Sequence, residues 1–159
     1  MRVAGFRVVT DGPPGESPAE RRHRTLTELK RTIARHPAVD IATGVRSDAG
    51  RFRELDIAFD PLILGIDAER AGIRIEWRPR TDPAEPAHFV FHYYDSTGRD
   101  FGWHREPNPH VDGLEHYQTR DSPESEYEYE PVHFESWSPV DLLWDVLGRI
   151  EERVADGRE

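Results

Sequence analysis

The stretch that decides the fold is residues 88–118, HFVFHYYDSTGRDFGWHREPNPHVDGLEHYQ. Its first half predicts a β-hairpin, because two aromatic-rich runs, residues 88–94 and 99–104, flank the turn residues Asp95-Ser96-Thr97-Gly98. Its second half contains Pro107, Pro109 and Gly113, which favours an ordered loop over a helix or strand. Five of the chain's eight histidines lie in this stretch, so we expect any chemistry to be here.

A helix is predicted at residues 18–36. Ser17 is a suitable N-cap, Pro18 takes the first helical position, and Glu20 completes a capping-box pattern. The apolar side chains fall on one side of this helix at helical spacing, and a row of arginines falls on the other. That row is either a solvated face or a surface that binds RNA phosphates; it consists of Arg21, Arg24, Arg31 and Arg35.

The remaining pattern predicts an α+β fold. Strands are expected at residues 2–9, 39–45, 51–59 and 72–78, in the two arms of the central hairpin, and as an edge strand at 132–137. Residues 62–66 fit either a buried strand or a short helix. A second amphipathic helix should follow Ser138 and run from Pro139 to Val154. We therefore expect one antiparallel sheet of five or six strands, with an N-terminal and a C-terminal amphipathic helix packed on one face.

Composition narrows the class of protein. The 159 residues fit one domain, within which the acid-rich segment 119–130 is expected to be a mobile loop. There are no cysteines, no apolar run that could span a bilayer and no signal-peptide pattern. We expect a cytoplasmic protein without a membrane partner.

The charge balance resembles that of proteins from salt-loving archaea. There are 31 acidic and 21 basic side chains, and Lys30 is the only lysine. A carboxylate-rich surface stays hydrated in molar salt, where the Debye length shrinks to about 3 Å and self-repulsion fades. A GC-rich genome that favours arginine codons is the alternative explanation. Residues 1–53 nevertheless carry 11 basic against 6 acidic side chains, which leaves nucleic-acid contact open.

Two kinds of site fit the histidines of the central stretch. His104, His110 and His116 are spaced by six residues, which matches no strong metal motif but would allow a loop to gather three ligands. The preferred reading needs neither metal nor cofactor. Histidines can act as general base and acid in RNA cleavage, while an arginine stabilises the charge on the phosphate. The residues expected to do this are His92, His104, His110 and Arg99.

RNA contacts are predicted beside these residues. Tyr94 and Tyr117 are candidates for stacking on a base, and Arg105 for contacting a phosphate, together with the arginines of the first helix.

A family resemblance runs over residues 85–155. The order FHYYDSTGRDFGWHREPNPH, then His116, an acidic segment and the final helix SPVDLLWDVLGRIEE resembles the TumE-type toxins of prokaryotic toxin–antitoxin pairs. The matching positions are His92, Tyr93, Asp95, Gly98, Pro109, His110 and His116, with 138–150 for the helix. The resemblance implies a growth-inhibiting, RNA-cleaving toxin that a cognate antitoxin protein neutralises.

Two other functions remain open from the sequence. One is a non-catalytic module of a salt-adapted cell, which would bind a protein or nucleic acid through the first helix or the acidic segment. The other is a metal-dependent hydrolase. Convergence of the histidines around a cleft would favour an enzyme, whereas scattered histidines would favour the binding module.

Overall fold

The chain folds as a seven-stranded antiparallel meander with three helices, in a computed structural model that describes residues 14–156. Each strand pairs with the next one along the chain, so the strand order in the sheet is the order in the sequence. The elements are α1 Pro18–Ile33, β1 Val39–Arg46, β2 Phe52–Phe59, α2 Pro61–Leu64, β3 Ala71–Arg78, β4 His88–Asp95, β5 Asp100–Arg105, β6 Glu115–Arg120, β7 Glu128–Pro131 and α3 Pro139–Asp156.

The two long helices form where capping and periodicity predict them. Ser17 Oγ accepts a hydrogen bond from the Glu20 amide at 3.1 Å, which closes the predicted cap at the start of α1. Helix α1 ends at Ile33, three residues before the predicted end, because the following residues form turns. Helix α3 begins at Pro139 as expected and extends to Asp156.

Alternation along the strands divides the sheet into two faces. On one face the aromatic and aliphatic side chains of β2–β6 form the core with the apolar sides of α1 and α3, including Leu29 and Val146. Both amphipathic helices therefore cover the same face. On the other face, β4, β5 and β6 present His92, His104 and His116.

The antiparallel α+β class is confirmed, but the sheet has more strands than expected. Strands β6 and β7 lie in segments that we predicted to be loops. The alternation of Tyr127 and Tyr129 with glutamates is a strand pattern that the acidic composition concealed. The segment 119–130 is consequently only in part a loop, between 121 and 127.

Three smaller expectations are also resolved or left open. Residues 132–137 form no strand, although Phe134 is buried there. The ambiguous segment 62–66 contributes to the short helix α2. The strand expected at residues 2–9 lies outside the described residues.

No helix between residues 14 and 156 has the length and apolar character needed to cross a membrane.

A candidate acid–base site

Strand register brings two histidines together on the face of the sheet that lacks the long helices. His92 of β4 lies opposite Gly102 of β5, and His104 lies two residues further along β5. The two imidazoles are therefore diagonal neighbours, and His92 Nδ1 is 3.1 Å from His104 Nε2. Their rings meet edge to face, with centroids 5.4 Å apart.

A carboxylate binds the outer nitrogen of each ring. His92 Nε2 makes a short hydrogen bond with Asp100 Oδ1, and His104 Nδ1 is 3.1 Å from Glu106 Oε1. The result is a continuous chain, Asp100–His92–His104–Glu106, that we call the histidine relay. An arginine stands at each end. Arg120 donates to Asp100 at 2.6 Å, and Arg78 lies 3.9 Å from Glu106.

The histidine relay has room for one additional proton. Its three contacts each need a proton between the two heavy atoms, whereas two neutral imidazoles carry only two protons. One contact is therefore unsatisfied while both rings are neutral and both carboxylates are ionised. A third proton satisfies all three contacts and gives the imidazole pair a single positive charge between two carboxylates. The relay can thus accept a proton without breaking a contact.

Burial and hydrogen bonding set the protonation states. Burial lowers the pKa of His92 by more than the hydrogen bond with Asp100 raises it, so the ring is neutral at pH 7. Burial raises the pKa of Asp100, but hydrogen bonds from His92, Arg120 and Tyr127 outweigh it and hold this pKa below its usual value. The hydrogen bond from His104 lowers the pKa of Glu106. At neutral pH His92 is therefore uncharged while Asp100 and Glu106 are ionised.

His116 adds a third imidazole beside the relay. It is opposite His104 in β6, with ring centroids 5.2 Å apart, and is completely buried. Its Nε2 lies 3.2 Å from Gln118 Oε1 and 3.4 Å from Asn108 Nδ2. Burial, followed by the nearby His104, lowers the pKa of His116. No carboxylate among residues 14–156 hydrogen-bonds this ring.

Two tyrosines of the β6–β7 region shield the imidazoles. Tyr127 donates its hydroxyl to Asp100 at 2.8 Å, and its ring lies edge-on to His92 with centroids 5.9 Å apart. The Tyr129 ring stacks on His110, with ring centroids 4.8 Å apart, and lies edge to face with His116, with ring centroids 5.9 Å apart. His92, beneath Tyr127, is only 7% exposed, and His104, between the rings of His92 and His116, is 5% exposed.

An exposed arginine lies next to the relay. Arg74 of β3 is paired with His92 in the strand register and therefore lies on the same face. Its positive charge acts on His92, Tyr94 and Tyr127, which places it among these three side chains. Arg74 thus provides a cation at the solvent side of the site.

The predicted catalytic residues are only partly brought together. His92 and His104 are in contact, whereas His110 lies on the exposed loop, stacked on Tyr129. Arg99 is not beside the histidines. It binds Asp95 at 3.0 Å in the β4–β5 turn, because alternation directs residue 99 away from the face that Asp100 and His104 share. Arg74 and Arg120 occupy the positions near the relay that we had expected Arg99 to fill.

Two of the predicted RNA-binding residues lie in the core. Arg105 is 1% exposed, binds Glu115 at 3.0 Å and covers the Phe89 ring. Tyr117 is 5% exposed, with the Arg153 guanidinium 4.3 Å from its ring centroid. Neither side chain is available to a nucleic acid, since both belong to the face covered by the helices.

The other predicted RNA contacts are at the surface. Tyr94 is 42% exposed on the face of the relay, and its hydroxyl donates to Asp56 at 2.8 Å. Arg31 and Arg35 are exposed, and Arg21 is half-buried. Arg24 pairs with Glu16 at 3.2 Å.

The metal site considered for His104, His110 and His116 is not formed by the described residues. Within residues 14–156, no group of three or more His, Asp or Glu side chains is arranged to hold a metal ion. His104 and His116 are neighbours, whereas His110 is stacked on Tyr129.

Sequence reasoning missed the partners of the histidines. Asp100 and Arg74 carried a usable signal, because each is placed on the face of His92 by alternation and hairpin register. Tyr127 and Arg120 were missed because they lie in the segment that we expected to be a mobile loop.

Comparison with known proteins adds no assignment. The chain matches no protein-family model, no curated protein sequence and no solved structure.

Proposed function

We propose that the chain is a metal-independent ribonuclease of the toxin type, with the histidine relay as its general base. The observation that carries this proposal is the 3.1 Å contact between His92 and His104, with a carboxylate at each outer nitrogen. This arrangement holds two imidazoles in fixed orientation and stabilises the charge that a transferred proton brings. The TumE-like order of residues 85–155 supports the same proposal.

Cleavage would proceed by attack of the ribose 2′-oxygen on the adjacent phosphorus. Asp100 takes the 2′-hydroxyl proton and passes it to His92 Nε2, in the tautomer in which His92 Nδ1 donates to His104. The relay becomes singly protonated, and all three of its contacts are then satisfied. Protonated His110, on the exposed loop, gives a proton to the departing 5′-oxygen. Arg74 stabilises the negative charge on the phosphorane-like oxygens. The products are a 2′,3′-cyclic phosphate and a 5′-hydroxyl, so no water is consumed in this step.

Substrate would approach the relay over Arg74, between Tyr94 and Tyr127. Tyr94 is exposed and presents an aromatic ring on which a base can stack. Tyr127 must move for the phosphate to reach His92, because its ring and hydroxyl lie against His92 and Asp100.

The competing function is a non-catalytic module that binds a protein or nucleic acid. The burial of His92 and His104, 7% and 5% exposed, favours this alternative. A buried polar network whose hydrogen bonds are made can have a purely structural role, which is to fix how the strands pair. In that case the carboxylates at both ends would be structural partners.

The experiment is RNA cleavage by purified protein with and without chelator, comparing wild type with His92→Gln, His104→Gln and Arg74→Gln. We expect cleavage to survive chelator and to fall about 100-fold or more in each histidine variant. His133→Gln is the matched control, since that side chain is 79% exposed and remote in sequence from the relay. Cyclic phosphate at the new 3′-ends is the diagnostic product.

The outcome that supports the binding module is a well-folded wild type that cleaves no RNA. Equal cleavage by the His104→Gln and His133→Gln proteins would remove the relay from the mechanism. The toxin part of the proposal has its own test. Expression of wild type should arrest growth, His104→Gln should not, and co-expression of the neighbouring gene should restore growth through a protein that co-purifies with this chain.

A further inference from the structure

A basic pocket lies at the opposite end of the sheet, where α1 crosses β1 and β2. It has a volume of about 480 Å³ and is lined by residues that include His23, Lys30, Arg31, Arg46 and Phe52. The relay lies on β4 and β5 and on the other sheet face, so this pocket is separate from the proposed acid–base site.

The pocket concentrates positive charge in an acidic protein. The chain has a formal net charge of −10, yet none of the described residues that line the pocket is acidic. Neither Lys30 nor Arg31 has a carboxylate within ion-pair distance among residues 14–156, although Arg24 and Arg51 nearby are paired with glutamates. Clustered cations without counter-charges repel one another, and a bound anion would relieve that repulsion.

Two of the cations lie over the aromatic ring of Phe52. The Arg46 guanidinium is 4.5 Å and the Lys30 ammonium 6.0 Å from the centroid of the Phe52 ring. The Phe52 ring in turn occupies the space beside Gly44, where a Cβ would lie 2.2 Å from Phe52 Cε1. Any side chain at position 44 would therefore displace the ring on which both cations are placed.

His23 supplies a directed donor. Its Nδ1 accepts a hydrogen bond from the Phe52 amide at 2.9 Å, so in the neutral ring the proton is on Nε2. No described residue hydrogen-bonds that nitrogen. The pocket thus combines an imidazole N–H group with the donors of an ammonium and two guanidinium groups, of which Arg46 Nη1 already donates to the Gly50 carbonyl oxygen.

We propose that this pocket binds a phosphoryl group. Several N–H donors around one concave site match the multiple oxygens of a phosphate, and arginine binds phosphate through paired hydrogen bonds. Phe52 is only 8% exposed, so its ring holds the cations in place instead of stacking on a base. The phosphoryl group belongs to an RNA backbone or to a small phosphorylated molecule. The site does not depend on the proposed catalysis.

Binding of two probes tests the proposal. Inorganic pyrophosphate and a non-cleavable 2′-O-methyl RNA decamer are titrated into wild type, into Lys30→Gln/Arg31→Gln and into Arg53→Gln/Arg70→Gln, at the lowest salt that keeps all three proteins folded. Arg53 and Arg70 are exposed arginines outside the pocket, so the second double variant loses the same charge. We expect the pocket variant to bind at least one probe about tenfold or more weakly than the control variant.

The two probes distinguish the source of the phosphoryl group. Loss confined to the RNA decamer identifies a backbone site, and loss confined to pyrophosphate identifies a site for a small phosphorylated molecule. Equal affinities of the pocket and control variants for both probes, or no binding by wild type, would overturn the proposal. Because the decamer cannot be cleaved, a protein that binds it but cleaves no RNA contradicts only the ribonuclease proposal.

Discussion

Gly102 shows how a single residue shapes the relay. A Cβ at this position would lie 2.6 Å from His92 Nδ1 and 2.6 Å from the Phe91 carbonyl oxygen. The carbonyl is part of the β4 backbone and cannot move aside, so an alanine would push apart the strands that carry the two histidines. The absence of a side chain at residue 102 is therefore a condition for the contact between His92 and His104.

We expect Gly102→Ala to lower the free energy of unfolding by about 1–3 kcal/mol, the usual cost of overpacking. The matched control is Gly148→Ala in α3, where a Cβ meets nothing within 4 Å. An alanine there should raise the free energy of unfolding by about 0.5–1 kcal/mol, because glycine is a poor helix former. Urea denaturation of both variants measures this, and a neutral or stabilising Gly102→Ala would contradict the close packing described above.

At the scale of elements, the β4–β5 turn is held by one buried carboxylate. Asp95 accepts hydrogen bonds from the Tyr93 hydroxyl at 2.8 Å, the Thr97 amide at 2.9 Å and Arg99 at 3.0 Å, and its side chain has no exposed surface. Burial raises the pKa of Asp95, but the bonds from Thr97, Arg99 and Tyr93 outweigh burial and lower it. The carboxylate therefore connects the end of β4 to the turn and to the start of β5.

Asp95→Asn should destabilise the protein by about 1.5–3 kcal/mol, since hydrogen bonds to a charged acceptor are lost and an amide group replaces one oxygen. Asp48→Asn provides the comparison, because Asp48 is exposed in the β1–β2 turn and makes no hydrogen bond or ion pair with another residue in the range 14–156. Its effect should stay within about 0.5 kcal/mol. Thermal unfolding of the two variants separates the outcomes, and equal shifts would show that the Asp95 contacts contribute nothing.

Elements of the fold were predictable where local signals agree. Ser17, Pro18 and Glu20 give the start of α1, and the Asp95–Gly98 turn gives the central hairpin. Strands β6 and β7 were not predicted, because prolines, glycine and acidic residues lie in and around these segments, while the pairing of β6 with β5 and of β7 with β6 decides the structure. Arg99 was placed beside the histidines by proximity in sequence, although one step along a strand changes the face. Pairing between neighbouring strands of a sheet cannot be predicted from the local sequence pattern of one strand.

At the scale of the molecule, two opposing effects act as the pH falls from 7. The net charge of −10 at pH 7 approaches zero as the pH approaches the isoelectric point of about 5.3. The negative charges then repel one another less, which stabilises the fold. Protonation of histidines acts in the other direction. Molar KCl removes the first effect, because the Debye length falls to about 3 Å. The buried histidines then control the pH dependence above pH 5.

His92 and His116 have pKa values below 6.5 in the folded protein, chiefly because of burial. Well above pH 6.5, from about pH 7.5, they are neutral in both states and favour neither. As the pH falls below 6.5, the unfolded chain takes up protons that the folded chain resists, so stability falls, by at most about 1.4 kcal/mol per pH unit for each histidine. Asp95, Asp100 and Glu106 have lowered pKa values, so their contribution is lost only below about pH 4.5.

We therefore expect the free energy of unfolding, measured by urea denaturation in molar KCl, to decrease from pH 7 to pH 5. In His116→Leu this slope should be smaller, because one proton acceptor of the unfolded chain is gone, whatever the variant's absolute stability. His133→Gln is the comparison for the loss of a histidine whose side chain is 79% exposed. A wild-type stability that is flat or rises toward pH 5, or an unchanged slope in His116→Leu, would mean that the buried imidazoles accept protons in the folded protein. The relay would then take up its third proton at least as readily as a histidine of the unfolded chain, which would favour it as the acid in RNA cleavage, with His110 as the base.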